Sequence, residues 1–109
     1  MRLSRLIRAK QSTDPGEIVQ LIDRAIFNGR KIIIQYEPLS PNYPSEERRI
    51  TPIAWRVTKE GLILVVAYNN WGETRTYRLD HISKVQETWT DGREGPYDNM
   101  YDYLNNSDD

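Results

Sequence analysis

The chain has 109 residues, of which 38% are hydrophobic and 28% are charged, and it contains no cysteine. This length accommodates about one small domain, and the composition is that of a globular protein without a disulfide framework or a thiolate metal site. The longest apolar run, Leu62–Ala67, is far shorter than the roughly 20 residues of a membrane span, and residues 1–10 lack the apolar stretch of a signal peptide. We therefore expect a cytoplasmic protein.

The formal net charge is −1, but the charges are unevenly distributed. Residues 1–10 hold four basic residues and no acidic one, whereas residues 90–109 hold one arginine and six acidic residues. The basic surplus favours anionic partners, and a mixed solvated surface explains the same pattern equally well. We divide the chain into a basic arm at residues 1–14, a domain at residues 15–90 and an acidic tail at residues 91–109.

A helix is predicted at residues 15–28. Asp14 is a helix-capping residue, Pro15 suits the first helical turn, and Glu17 lies three residues after the cap. Gly29 suits the left-handed conformation that ends many helices. Apolar residues recur at helical spacing between these ends and form one face, made of Ile18, Leu21, Ile22, Ala25 and Ile26.

After the helix the hydrophobic period changes to two, which predicts strands. Pro52 cannot donate a hydrogen bond to a ladder, so it marks a sheet edge or a bulge. Pro38–Ser45 contains three prolines and is predicted to be a loop. The predicted strands are Lys31–Glu37, Glu47–Thr58 (one long strand or two short ones), Leu62–Tyr68, Glu73–Leu79 and Ser83–Trp89.

The strand Leu62–Tyr68 is apolar on both faces, so both faces should be covered. One face can lie inside a barrel, and the other must meet the helix or a second subunit. One helix followed by five short strands is typical of a mostly β, α+β fold. We expect an N-terminal helix followed by a five-stranded SH3-like or Sm-like barrel, because closure removes exposed strand edges.

Five fragments follow one another along the chain: A-I-F-N-G-R-K at Ala25–Lys31, I-I-I-Q-Y at Ile32–Tyr36, R-R-I-T-P at Arg48–Pro52, L-I-L-V-V-A-Y at Leu62–Tyr68 and R-T-Y-R-L-D-H-I at Arg75–Ile82. Their order and spacing resemble the WYL domain family over roughly residues 17–89. The tripeptide that names the family falls near residues 62–64, where only the final leucine is kept. His81 stands where the family usually has a second basic residue.

The resemblance implies a β-barrel related to Sm folds and a role as a sensor or regulator in bacteria. Domains of this family bind anionic ligands, including single-stranded nucleic acid and nucleotides, and many are fused to a DNA-binding helix-turn-helix. Too few residues precede residue 15 to form such a motif, so we expect a stand-alone member. Stand-alone members are associated with phage defence, including CRISPR systems, as accessory or regulatory proteins.

Arginine side chains donate paired hydrogen bonds to phosphate oxygens, and aromatic side chains stack on bases, so both residue types are candidates for a ligand-binding surface. Side chains alternate along a strand, so Arg75 and Arg78 should not share one face. By the same alternation only one of Arg48 and Arg49 faces a given surface, and we prefer Arg49. The candidate ligand-binding residues are Arg75, Arg78, His81, Tyr77, Tyr36, Arg49, Tyr68 and Trp71.

Each candidate also has a purely structural interpretation. Arg75 and Arg78 can form weak surface ion pairs with Glu73 and Asp80. A single histidine after a strand commonly bonds to the backbone, and aromatic residues in a small domain commonly lie in its core. Trp71 lies in a polar turn and is the aromatic residue most expected to be exposed.

The sequence shows no nucleophile–base pair of recognisable spacing, no Gly-rich phosphate loop and no second histidine. We therefore expect no enzymatic activity, no cofactor and no metal site. The expected function is a regulatory module that binds single-stranded RNA or DNA, or a nucleotide. The alternative is a protein-interaction subunit, a homodimer or an adaptor, that uses residues 62–68 and the acidic tail. The tail tyrosines, Tyr97, Tyr101 and Tyr103, could also occupy a basic groove, including the chain's own.

Overall fold

A computed structural model describes residues 10–91, in which one helix packs on a six-stranded antiparallel sheet. The elements are β1 (Gln11–Ser12), α1 (Pro15–Asn28), β2 (Arg30–Tyr36), β3 (Glu46–Val57), β4 (Ile63–Tyr68), β5 (Thr74–Arg78), a 3-10 turn (Leu79–His81) and β6 (Ile82–Asp91). Residues 1–9 of the predicted basic arm and residues 92–109 of the predicted tail lie outside the described part. No helix within that part is long and apolar enough to span a membrane.

The sheet has the strand order β1-β6-β2-β3-β4-β5, which confirms a mostly β, α+β fold. The predicted five-stranded barrel is not confirmed, because the sheet has six strands and is not closed. Among the described strands, β5 pairs only with β4, and β1 pairs only with β6. Strand β1 was not predicted from the sequence, since a strand of two residues is too short to show a hydrophobic period.

The predicted helix is confirmed with its bounds and both of its caps. The Asp14 carboxylate accepts a hydrogen bond from the Glu17 N–H at 3.0 Å. Gly29 ends the helix with a φ of 64°, a conformation that residues with a Cβ rarely adopt. The Trp55 indole N–H donates to the Asp23 carboxylate at 3.0 Å and so fastens the exposed side of the helix to β3. The helix buries Ile18, Leu21, Ile22 and Ala25.

Strand β3 is one long strand that belongs to two parts of the sheet. Glu46–Ile50 pairs with β2, and Thr51–Val57 pairs with β4. The register shifts between Pro52 and Ala54, which confirms that Pro52 marks an irregularity. We call β1, β6, β2 and residues 46–50 the first wing. Residues 51–57, β4 and β5 form the second wing.

Strand β4 is covered on both faces over most of its length. Val65 and Ala67 belong to the main core, which also contains the buried face of the helix. Val66 and Tyr68 lie in a second buried cluster with Ile53 and Ala54. The predicted covering therefore holds at Val65–Tyr68, whereas Ile63 at the start of the strand is 42% exposed.

The two wings are joined at the end of β2 by side-chain and turn contacts. The Tyr36 hydroxyl accepts a hydrogen bond from the Arg78 N–H at 3.0 Å. The Tyr36 ring also meets the Tyr77 ring edge-on, with centroids 5.3 Å apart and an interplanar angle of 84°. Beside them, the Glu37 N–H donates to the His81 carbonyl at 2.8 Å. These contacts hold the end of β5 against β2 without strand pairing.

We expect Tyr36→Phe to lower the free energy of unfolding by about 1–2 kcal/mol, because it leaves the part-buried Arg78 N–H without its acceptor. Urea unfolding of the wild type and the variant measures this difference. The matched control is Tyr43→Phe, which removes a hydroxyl from a tyrosine that is 68% exposed and should change stability by less than about 0.5 kcal/mol. Equal effects of the two substitutions would contradict the assignment.

Candidate ligand-binding cleft

Both wings contribute to a cavity of about 350 Å³, which we call the arginine cleft. The first wing supplies the end of β2 and the start of β3. The second wing supplies β5 and the turn that precedes it. The lining residues are Tyr36, Glu47, Arg48 and Arg49 from the first wing, and Asn69, Asn70, Trp71, Arg75, Thr76 and Tyr77 from the second.

Arg48 is the cleft residue that our reading of the sequence passed over in favour of Arg49. It lies opposite Ile34 and two residues before Ile50, and both isoleucines are buried. Because side chains alternate along a strand, Arg48 lies on the same face as the core. Counting back by two from Ile50 would have identified it. Arg49 also lines the cleft, opposite Ile33 on the other face of the strand pair.

Two of the cleft arginines are held by exposed glutamates. Arg75 donates to the Glu73 carboxylate at 2.8 Å and to the Thr74 carbonyl at 3.0 Å. Arg48 forms an ion pair with Glu46. All four charged side chains are about half exposed, and such surface pairs contribute about 0–1 kcal/mol each. A phosphate can therefore take the place of either glutamate at small cost.

Arg78, a predicted ligand-binding residue, does not line the cleft. Its guanidinium makes two bonds to Asp80, from Nε at 3.0 Å and from Nη2 at 2.7 Å. This hydrogen bonding raises the pKa of Arg78 and lowers the pKa of Asp80. His81 does not line the cleft either, and its Nδ1 lies 3.0 Å from the Glu37 carbonyl oxygen. Because a carbonyl only accepts, Nδ1 carries the hydrogen, and the ring fastens the 3-10 turn to β2.

The aromatic candidates occupy three different environments. Trp71 is 78% exposed at the rim of the cleft, in a turn fixed by the Asn69 carboxamide, which accepts the Trp71 N–H at 2.9 Å. Tyr36 and Tyr77 form the inner wall, and Tyr77 is buried. Tyr68 is only 1% exposed, lies in the second buried cluster and does not line the cleft. Of these four candidates, Trp71 is thus the one most accessible to a base.

A second cavity, of about 550 Å³, lies between the start of α1, the start of β4 and the 3-10 turn. We call it the apolar groove. Its lining includes Ile18, Val19, Leu62, Ile63, Leu79 and Ile82. Among residues 10–91, Asp80 is the only charged residue that lines it, so this part of the chain offers no cation to a phosphate there. Within residues 10–91 there is also no cluster of three or more histidines, aspartates or glutamates that could hold a metal ion.

The family model of the WYL domain matches residues 17–87. A search of the curated proteins finds no match. Among solved structures, the chain is similar to proteasome accessory factor B/C (PafBC) of Arthrobacter aurescens, with a TM-score of 0.65 and 16% sequence identity. The similarity covers 83% of this chain and 15% of that one, so it extends over a small part of the larger protein. At this identity the comparison shows a shared fold.

Burial raises the pKa of Tyr77, although Arg48 and Arg75 act in the opposite direction. A tyrosine in the unfolded chain has a pKa of about 10. Between the two pKa values the unfolded chain has released the proton and the folded chain has kept it, so ionisation favours unfolding. The free energy of unfolding should therefore fall as the pH rises above about 10.

We expect Tyr77→Phe to make this fall shallower, because phenylalanine has no proton to release. Urea unfolding between about pH 8 and about pH 11 measures the effect. Tyr43→Phe is the control, since it removes a hydroxyl from a ring that is 68% exposed. An equally steep fall in Tyr77→Phe would show that burial does not shift this group.

Proposed function

The chain belongs to the WYL domain family, and we propose that it is a ligand-binding regulatory module whose arginine cleft holds a single-stranded nucleic acid or a nucleotide. The observation that carries the proposal is that Arg48 from the first wing and Arg75 from the second line one cavity, with Trp71 exposed at its rim. A guanidinium group can donate two parallel hydrogen bonds to the oxygens of one phosphate, and an indole can stack on any base. One cavity therefore offers groups that can bind the phosphate of a nucleotide and a group that can stack on its base.

The size of the cleft supports a short occupant. Ligand pockets have volumes of about 300–1,000 Å³, so a cavity of about 350 Å³ suits one nucleotide unit. A longer single strand would continue past Trp71 over the rim. A duplex presents its bases stacked and paired, so it would leave the indole without a base to contact.

The charges around the cleft make the proposed binding dependent on salt. Glu46, Glu47 and Glu73 lie beside the arginines, so the rim is balanced and not strongly positive. Phosphates of the ligand would replace Glu46 and Glu73 as partners of Arg48 and Arg75. Each phosphate contact on a single strand contributes a slope of about −0.7 in log affinity against log salt. Stacking on Trp71 would contribute a part of the binding free energy that depends less on salt.

We also propose that the chain binds its ligand without chemical turnover. The lining offers arginines, amides, phenols, a threonine and one carboxylate, and His81 is engaged at the 3-10 turn outside the cleft. The proposed setting is a bacterial cytoplasm, in a phage-defence or CRISPR system or in transcriptional regulation. The fold shared with PafBC and the family membership support a regulatory role.

We expect the double substitution Arg48→Ala, Arg75→Ala to weaken the binding of a fluorescently labelled single-stranded oligonucleotide by at least about tenfold. Each lost charge-assisted hydrogen bond costs about 1.5–3 kcal/mol, and the salt slope should fall by about 1.4 for two lost phosphate contacts. Fluorescence anisotropy at several salt concentrations measures both quantities.

The matched control for this experiment is Arg56→Ala. Arg56 is an exposed arginine of β3 that does not line the cleft, so its loss changes the net charge but not the proposed site. Binding that is equally strong in the double variant and in the control would overturn the proposal, and so would the absence of binding by the wild type.

The apolar groove favours a second function, association with another copy of the chain. Ile63 at its edge is 42% exposed, and the neighbouring Val57, paired with Ile63 across β3 and β4, is 65% exposed. On the helix side Val19 is 39% exposed. A contiguous exposed apolar surface of this kind is typical of interaction sites.

If this second function is present, light scattering should show a dimer of the wild type, and Ile63→Glu should give a monomer, because a buried unpaired carboxylate is costly. The exposed position of Ile63 in one chain makes this substitution compatible with folding. A control of Lys59→Glu, in the exposed turn before β4, should leave the dimer intact. A wild-type monomer at every concentration would contradict the association.

A further inference from the structure

We propose that the acidic segment Tyr97–Tyr103 of the same chain binds in the arginine cleft and competes there with the ligand. We call it the tail segment; it lies outside the described residues. The contact itself stands on the geometry of the cleft and on the sequence of the tail. The competition additionally rests on the proposed function.

The outer edge of β5 presents backbone groups to the cleft. The Arg78 N–H points to the Tyr36 hydroxyl, and therefore away from β4. In an antiparallel strand the direction of the N–H and C=O groups alternates from residue to residue, so those of Thr76 and Thr74 also point away from β4. The Thr74 carbonyl already accepts a hydrogen bond from the Arg75 guanidinium, so Thr76 is the residue of this edge that an added strand would meet. Thr76 lines the cleft, and among the described strands β5 has β4 as its only neighbour. An extended segment can add to this edge as a strand.

Tyrosines and aspartates of the tail segment fall at alternating positions, as in a strand whose two faces differ. Its sequence, Y-D-N-M-Y-D-Y, places Tyr97, Tyr101 and Tyr103 at odd positions and Asp98 and Asp102 at even positions. In an extended conformation the tyrosines would lie on one side and the aspartates on the other. The cleft lining includes both arginines and aromatic rings, the same two groups that the proposed ligand would use.

The connection between β6 and the tail segment has a suitable length. Strand β6 ends at Asp91, which pairs with Arg30 at one end of β2, whereas the cleft lies at Tyr36 at the other end. The six residues of strand between them span about 20 Å. The tail segment begins six residues and ends twelve residues after Asp91, which corresponds to an extended reach of about 20–40 Å. Its residues can therefore reach the cleft of their own chain.

The tail segment carries acidic groups that can compete with the glutamates of the rim for the cleft arginines. Residues 92–109 contain one arginine and five acidic residues. Arg48 and Arg75 form ion pairs with the half-exposed Glu46 and Glu73, and an aspartate of the tail segment can replace either glutamate at little cost. Tethering raises the effective concentration of the tail segment to the millimolar range, so that even weak contacts fill the cleft for much of the time.

Disulfide trapping in the full chain tests the contact without any ligand. The chain has no native cysteine, so Thr76→Cys can be combined in turn with Asn99→Cys, Met100→Cys and Leu104→Cys. We expect at least one pair to form an intramolecular disulfide at least about tenfold faster than the control pairs, in which Lys59→Cys replaces Thr76→Cys. Lys59 is exposed in the turn before β4 and does not line the cleft.

Electrophoresis without reductant separates the outcomes. A fast disulfide within the monomer supports the proposal. Rates no faster than those of the Lys59→Cys control pairs overturn it. Disulfide-linked dimers alone also overturn it, because they would place the tail segment in the cleft of a second copy.

A binding measurement then tests the competition. In the full chain, Asp98→Asn with Asp102→Asn should tighten the binding of the labelled oligonucleotide by about threefold or more, because the cleft is freed for a larger fraction of the time. The control, Asp108→Asn with Asp109→Asn, makes the same change of charge outside the tail segment and should not tighten it. Equal affinities of the two variants would overturn the competition. Fast trapping without any oligonucleotide binding would keep the contact and overturn the proposed function alone.

Discussion

The contact of Tyr36 with β5 is the interaction on which the arrangement of this domain depends. The sheet is not closed by strand pairing, so the distance between its two wings must be set by other contacts. The Tyr36 hydroxyl holds the Arg78 N–H, and its ring packs edge-on against Tyr77. The same two rings form the inner wall of the arginine cleft. The contact that joins the wings therefore also fixes the shape of the proposed binding site.

This arrangement separates the basic residues of β5 and the 3-10 turn into two classes. Arg75 lines the cleft and forms an ion pair with the exposed Glu73, which the proposed anionic ligand would replace. Arg78 is held by two bonds to Asp80 in the adjoining 3-10 turn, and His81 is bonded to the Glu37 carbonyl, which links that turn to the end of β2. The most family-like stretch of the sequence thus divides between the proposed binding site and structural contacts. The second strong cation of the cleft, Arg48, comes from a different strand.

Much of the fold could be predicted from the sequence because its signals are local. The caps at Asp14 and Gly29 define the helix, and Pro52 marks the irregularity in β3. The closure of the sheet could not be predicted, since it depends on which distant edges meet. The lining of the candidate cleft was predicted only in part, for the same reason. Alternation along one strand separates Arg75 from Arg78, but the approach of the two wings, which brings Arg48 beside Tyr77, is a tertiary contact with no local signal.

An NMR titration tests most directly whether the ligand enters the arginine cleft, as proposed, or the apolar groove. A short single-stranded oligonucleotide is added to the isotopically labelled full chain while the backbone amide and indole N–H signals are followed. We expect saturable shifts at the Trp71 indole and at the amides of residues 47–49 and 75–77. The signal of the Trp55 indole, which is bonded to Asp23, should not change. Shifts confined to residues 18–19 and 62–63 of the groove, with the Trp71 indole unmoved, would contradict it.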